Sequence, residues 1–126
     1  MAKALVTGAT SGIGLEFAHQ LAQKGYDIIL VSRNIHRLNE TAQELTSKYK
    51  VKADVLKADL GTDEGIKLTR ELIEKEDIEF VVNNAGLGIN KPFHAADLAE
   101  EVNLLNVLVK APLEIAKTGM WSSTFR

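Results

Sequence analysis

The chain has 126 residues, 45% of them hydrophobic and 25% charged, with 15 basic residues against 17 acidic ones and no cysteine. That length is one domain's worth and can bury a core without covalent staples, and the composition argues against wholesale disorder or a fibrous repeat. The missing cysteines exclude disulfides, thiolate metal sites and cysteine nucleophiles and fit a reducing compartment, while a formal charge of −2 offers no surface for nucleic acid.

In chain order, residues 3–7 form a short apolar segment of strand length. Residues 12–24 follow, with Ile13, Leu15, Phe17, Ala18, Leu21 and Ala22 at helical spacing. Gly25 stands just past the last periodic residue, where a left-handed conformation closes a helix. Residues 26–32 are apolar without polar alternation, the pattern of a strand covered on both faces. A second helical pattern runs over 35–48 with Asn34 as its N-cap, followed by a strand over 51–56. Gly61-Thr62-Asp63 turns into a helix capped by Thr62 or Asp63 and ending near Lys75, and a fourth strand spans 78–83. A longer helical pattern covers 95–117, with Pro112 interrupting it near Leu108. Residues 118–126 lack periodicity and read as an irregular tail, outside a single unit over 1–117.

Strands alternating with helices imply an α/β fold, a parallel sheet with right-handed crossovers and helices on both faces. No apolar run approaches the roughly 18 residues of a membrane span, and no targeting segment is visible, so a cytoplasmic protein without a membrane partner is expected.

The chemistry concentrates in Thr7-Gly8-Ala9-Thr10-Ser11-Gly12-Ile13-Gly14, between the first strand and the first helix. Gly8 permits a tight turn, Gly12 a close backbone approach to a pyrophosphate, and Gly14 close packing of helix on strand. The free N–H groups at the helix start, over Thr10 to Ile13, would face the phosphates. The alternative is a glycine-rich loop with no ligand.

This segment resembles the short-chain dehydrogenase/reductase family. Asp59-Leu60, Asn83-Asn84-Ala85-Gly86 and Asn106 extend the likeness over residues 3 to about 120. The resemblance implies a Rossmann-like, doubly wound parallel sheet, here about four strands in the order 3-2-1-4. It also implies that Asp59 lies against adenine with Leu60 beside it in the cofactor site, that Asn84, Ala85 and Gly86 line the ribose and nicotinamide side, and that Asn106 belongs to the catalytic relay. Asn103, three residues earlier, lies on nearly the same helix face, and a polar helix residue without function is the other reading of Asn106. Arg33 ends the second strand. An acidic residue there would accept from ribose hydroxyls; arginine instead pairs with phosphate, so NADP(H) is expected over NAD(H). A solvated arginine is the alternative.

The family's proton donor is a tyrosine with a lysine four residues on. Here Leu30 follows Tyr26 and Ala53 follows Tyr49, so neither tyrosine qualifies. Both read as packing residues, and His19, His36 and His94 show no metal-ligand spacing. The last residues, Trp121 to Arg126, depart from the family where a fifth strand would begin, as a frameshift or premature stop in a longer gene would produce. Three readings follow: the amino-terminal half of an NADP(H)-dependent oxidoreductase, inactive alone; a non-catalytic NADP(H)-binding module; or a truncated remnant. A fourth strand without its neighbour would expose an apolar edge over Ile78 to Val82, and a homo-oligomer covering it is expected.

Overall fold

The computed structural model describes residues 2–10, 12–84 and 115. Its elements are β1 (Lys3–Thr7), α1 (Gly12–Gln23), β2 (Asp27–Ser32), α2 (Ile35–Tyr49), β3 (Ala53–Lys57), α3 (Asp63–Lys75) and β4 (Ile78–Val82). The four strands form one parallel sheet in the order β3-β2-β1-β4, the expected topology.

Both faces of the sheet are covered, which explains the unbroken apolar runs. Ala4 and Val6 of β1 and Ile28 and Leu30 of β2 pack on one face with Ala18, Leu21 and Ala22 of α1 and Leu38 and Leu45 of α2. Leu5, Ile29 and Val31 point the other way, against Ile66 and Ile73 of α3 and the fully buried, helical Ile115. The rest of the 95–117 pattern, and the tail, lie outside the described residues.

The turns follow their local chemistry. Asn34 caps α2, its side chain accepting from the Arg37 N–H at 3.1 Å, and Thr62 caps α3 in the same way through Gly65. Gly25 closes α1 at φ 95°, as expected. After α2, Lys50 is the left-handed residue at φ 58°, and Asp27 Oδ1 accepts from the Lys52 N–H at 2.9 Å. This turn delays β3, which begins at Ala53 rather than at residue 51, while Val51 is buried as part of the turn.

The β1–β4 register slips between Lys3 and Ala4: Lys3 faces Ile78, but Ala4 faces Phe80. The irregularity inverts the pleat. Ile78 packs on the α3 side, whereas Phe80 meets the Tyr26 ring edge-on, 6.2 Å between centroids, beside the α1–α2 layer. Phe80 stays 46% exposed, and among the described residues β4 has no strand on its outer side. No helix among the described residues is long and apolar enough to cross a membrane.

Candidate functional site

The loop after β1 is held at several points. Thr7 is buried at the strand end, and the Gly8 N–H donates to the Val31 carbonyl at 3.0 Å. Gly8 then turns at φ 61°, Ala9 is fully buried, and Thr10 Oγ1 lies 3.2 Å from Ser32 Oγ. Gly12 opens α1 at φ 58°, a conformation that L side chains rarely adopt. A Cβ on Gly12 would meet nothing within 4 Å, so the space beside it is open.

Gly14 is the opposite case. A Cβ there would overlap the Gly8 carbonyl oxygen and come within 2.5 Å of Asn84 Nδ2. The missing side chain lets the first turn of α1 sit on the Gly8 backbone. Asn84 closes the arrangement: its N–H donates to Thr7 Oγ1 at 2.9 Å, and its side-chain amide reaches the Gly8 carbonyl at 3.5 Å. The residues after β1 and after β4 therefore meet.

The electrostatics of the two helix starts differ. The first turn of α3 carries Asp63 and Glu64 in addition to its Thr62 cap. The first turn of α1 has no acidic residue, so the positive end of its dipole is left for an outside anion. Ile13 is 68% exposed on that turn.

A second part of the site lies at the carboxyl ends of β2 and β3. Arg33 is exposed there, with no ion-pair partner among the described residues. It lines a cleft of about 340 Å³ together with Lys57, Asp59, Thr62, Glu64 and Gly65. Asp59 builds one wall: its Oδ1 accepts from the Gly61 N–H at 2.8 Å, and its carbonyl accepts from the Thr62 hydroxyl at 2.8 Å. Oδ2 has no protein partner among the described residues. Leu60 is 6% exposed and belongs to the core with Leu5 and Ile66.

Ser11, Ala85, Gly86, Asn103 and Asn106 lie outside the described residues, as does His94. His19 Nδ1 is 2.9 Å from the Tyr49 hydroxyl, and its Nε2 is 3.5 Å from Glu44. Tyr49 packs at the end of α2 and Tyr26 at the start of β2, as packing residues should.

Sequence reasoning missed three contributors. Thr7 appeared as part of a glycine motif, not as the acceptor for Asn84. Ser32 appeared as a strand residue, not as the partner of Thr10. Gly65 drew no attention, yet a Cβ there would overlap the backbone of Asp59. A lone glycine inside a helical pattern was the available signal.

The residues fit a dinucleotide by shape and charge: open space beside Gly12, a helix start with no acidic residue in its first turn, and an exposed cation lining a cleft.

Comparison with known proteins gives the same picture. The sequence pattern of the family described as "short chain dehydrogenase" matches residues 2–122. The very-long-chain 3-oxoacyl-CoA reductase of Eremothecium gossypii is 45% identical over 102 residues, which is 79% of this chain and 29% of that protein. The human inactive hydroxysteroid dehydrogenase-like protein 1 is 37% identical over 111 residues, 86% of this chain and 34% of that one. Among solved structures, a short-chain dehydrogenase from Sphingobium yanoikuyae in complex with NADPH superposes with a TM-score of 0.89 at 28% identity, covering 94% of this chain and 47% of that one. The bulky-bulky ketone specific alcohol dehydrogenase of Comamonas testosteroni gives 0.90 at 29% identity, covering 96% and 49%. The chain thus spans about a third of the curated relatives' length and about half of the solved ones'.

Proposed function

We propose, from the premise that this chain belongs to the short-chain dehydrogenase family, that its 126 residues are the cofactor-binding part of an NADP(H)-dependent oxidoreductase acting on a carbonyl or alcohol. When bound, the nicotinamide supplies or accepts the hydride exchanged with the substrate carbon. This chain's residues bind and orient. The N–H groups at the start of α1 take the pyrophosphate, Gly14 and Asn84 hold that helix start against Gly8, and the Asp59 turn walls the adenosine side.

The observation that carries the cofactor preference is Arg33, exposed and unpaired among the described residues, lining the Asp59 cleft. A guanidinium there can pair with a 2′-phosphate, whereas it cannot accept from the two free hydroxyls of NAD. The solved relatives in complex with NADPH support the same choice.

Neither tyrosine within the 126 residues has a lysine four positions on. Binding without turnover is therefore the behaviour expected of this stretch by itself. One relative over the same stretch is named inactive and others are named reductases, so likeness over this stretch does not decide turnover.

Calorimetric titration with NADPH and NADH tests the reading. NADPH should bind more tightly, and Arg33→Ala should erase the difference; a charge-assisted, two-pronged contact of about 1.5–3 kcal/mol corresponds to roughly 10- to 100-fold. Equal affinities for the two cofactors in the wild-type chain would overturn the preference.

A further inference from the structure

The two outer strands of the sheet present different edges. β3 carries Asp54 and Lys57, with Lys52 just before it, and charges of this kind keep a sheet edge from pairing. β4 reads Ile78-Glu79-Phe80-Val81-Val82, apolar but for Glu79. The Asp27 N–H donates to the Ala2 carbonyl and the Gly8 N–H to the Val31 carbonyl, so the even-numbered residues from Ala2 to Gly8 bond to β2 and Leu5 is turned toward β4. Leu5 pairs with Val81, and in a parallel ladder such a residue bonds to the two neighbours of its partner. Phe80 and Val82 therefore turn their N–H and C=O groups to β1. Val81 turns its own outward, where neither group has a partner among the described residues. The face above this edge is open as well. α1 packs over β1 and β2, and α2 over β2 and β3, leaving Phe80 46% exposed and Val82 partly buried on that side. Ile115 lies on the opposite face, with Ile78.

We propose that a second copy of this chain covers the β4 edge: two β4 strands pair antiparallel about a two-fold axis through Val81, perpendicular to the sheet, and join two four-stranded sheets into one. The edge is complementary to itself in that arrangement. The outward N–H and C=O of Val81 meet those of Val81 of the second copy as a hydrogen-bonded pair. Phe80 falls opposite Val82 of the second copy, and Val82 opposite its Phe80. Both pairs lie on the open face, in the closer, non-hydrogen-bonded position where a ring packs on a β-branched side chain. Charge selects the register. Pairing about Val81 sets the two Glu79 carboxylates about 13 Å apart along the strands, outside a screening length of about 8 Å. Pairing about Phe80 would make them diagonal neighbours at about 7–8 Å. This surface is separate from the Arg33 cleft, and dimerisation is independent of the NADP(H) reading.

Sedimentation equilibrium of the 126-residue chain across the micromolar range tests the pairing. The wild type should be a dimer. Phe80→Lys removes a ring and adds a cation at two symmetric places, so the dissociation constant should rise about 100-fold or more, whereas Phe80→Leu should stay within about 10-fold of the wild type. The chain has no cysteine, which permits a second readout that does not depend on how Phe80→Lys folds. Chains carrying Phe80→Cys, mixed with chains carrying Val82→Cys, should oxidise to the mixed disulfide in preference to either self-linked dimer, because only positions 80 and 82 stand opposite each other. A wild type that sediments as a monomer throughout overturns the proposal. So does a dimer that Phe80→Lys leaves at wild-type affinity, or a mixture in which the self-linked forms prevail, because two copies then do not meet along β4 in this register.

Discussion

Gly65→Ala should destabilise the protein although it places a better helix former inside a helix. In an open helix interior the change would gain about 1 kcal/mol. Here the new Cβ would lie closer than 3.0 Å to three backbone atoms of Asp59, its N, C and O. None of these is the end of a flexible side chain, so relief requires moving the Asp59 turn or lifting α3 from the sheet. Overpacking of this kind costs about 1–3 kcal/mol, and backbone against backbone belongs at the upper end. The net loss is then about 2 kcal/mol, which at a urea slope of about 2 kcal/mol per molar lowers the unfolding midpoint by about 1 M. The same displacement carries the wall of the Arg33 cleft with it, because Asp59, Thr62 and Gly65 line that cleft. NADPH affinity should therefore fall along with stability. Urea denaturation followed by circular dichroism, paired with the cofactor titration, measures both. A Gly65→Ala protein whose midpoint equals or exceeds the wild type, with unchanged affinity, would refute the reasoning, since helix propensity would then have outweighed the overlap.

Thr7→Val keeps the side-chain shape but removes the acceptor of the Asn84 N–H and the donor to the Val82 carbonyl, at 2.9 and 3.4 Å. Leaving those groups unmatched should cost about 1–2 kcal/mol, a fall of about 4–8 °C or more in Tm, and an unchanged Tm would contradict it. The ion pair of Lys3 with Glu76, at 2.8 Å, predicts a pH dependence. Its hydrogen bond lowers the Glu76 carboxyl below its ordinary 4.5. The same bond raises the Lys3 ammonium above its ordinary 10.5. Glu76 therefore contributes stability above pH 4.5 that is lost as pH falls through its lowered value. Lys3 contributes below pH 10.5 and loses its contribution as pH rises through its raised value. Lys3→Met should lower the midpoint of urea unfolding between these limits and converge on the wild type in acid; a constant offset down to pH 2, roughly, would assign the effect to packing instead.

Much of the fold was legible from residue order alone. Unbroken runs such as Ile28 to Val31 imply a strand covered on both faces, and the 3.6-residue spacing of Leu38, Ala42 and Leu45 implies a helix on one of them. These are local, repeated signals. The glycine loop was legible for the same reason: Gly8, Gly12 and Gly14 stand at backbone positions that admit no side chain or need a positive φ, and that demand is written in single residues. What the sequence could not contain is which distant backbone a residue meets. The slip between Lys3 and Ala4 turns Phe80 to the face opposite Ile78, although alternation places both on one side. Gly65 matters only because α3 lands on Asp59, and Leu60 points inward because the turn before α3 lies over the core. Local propensity and pattern determine the elements. Register and close approach arise only when those elements are packed, because they are properties of pairs of backbones, not of either one.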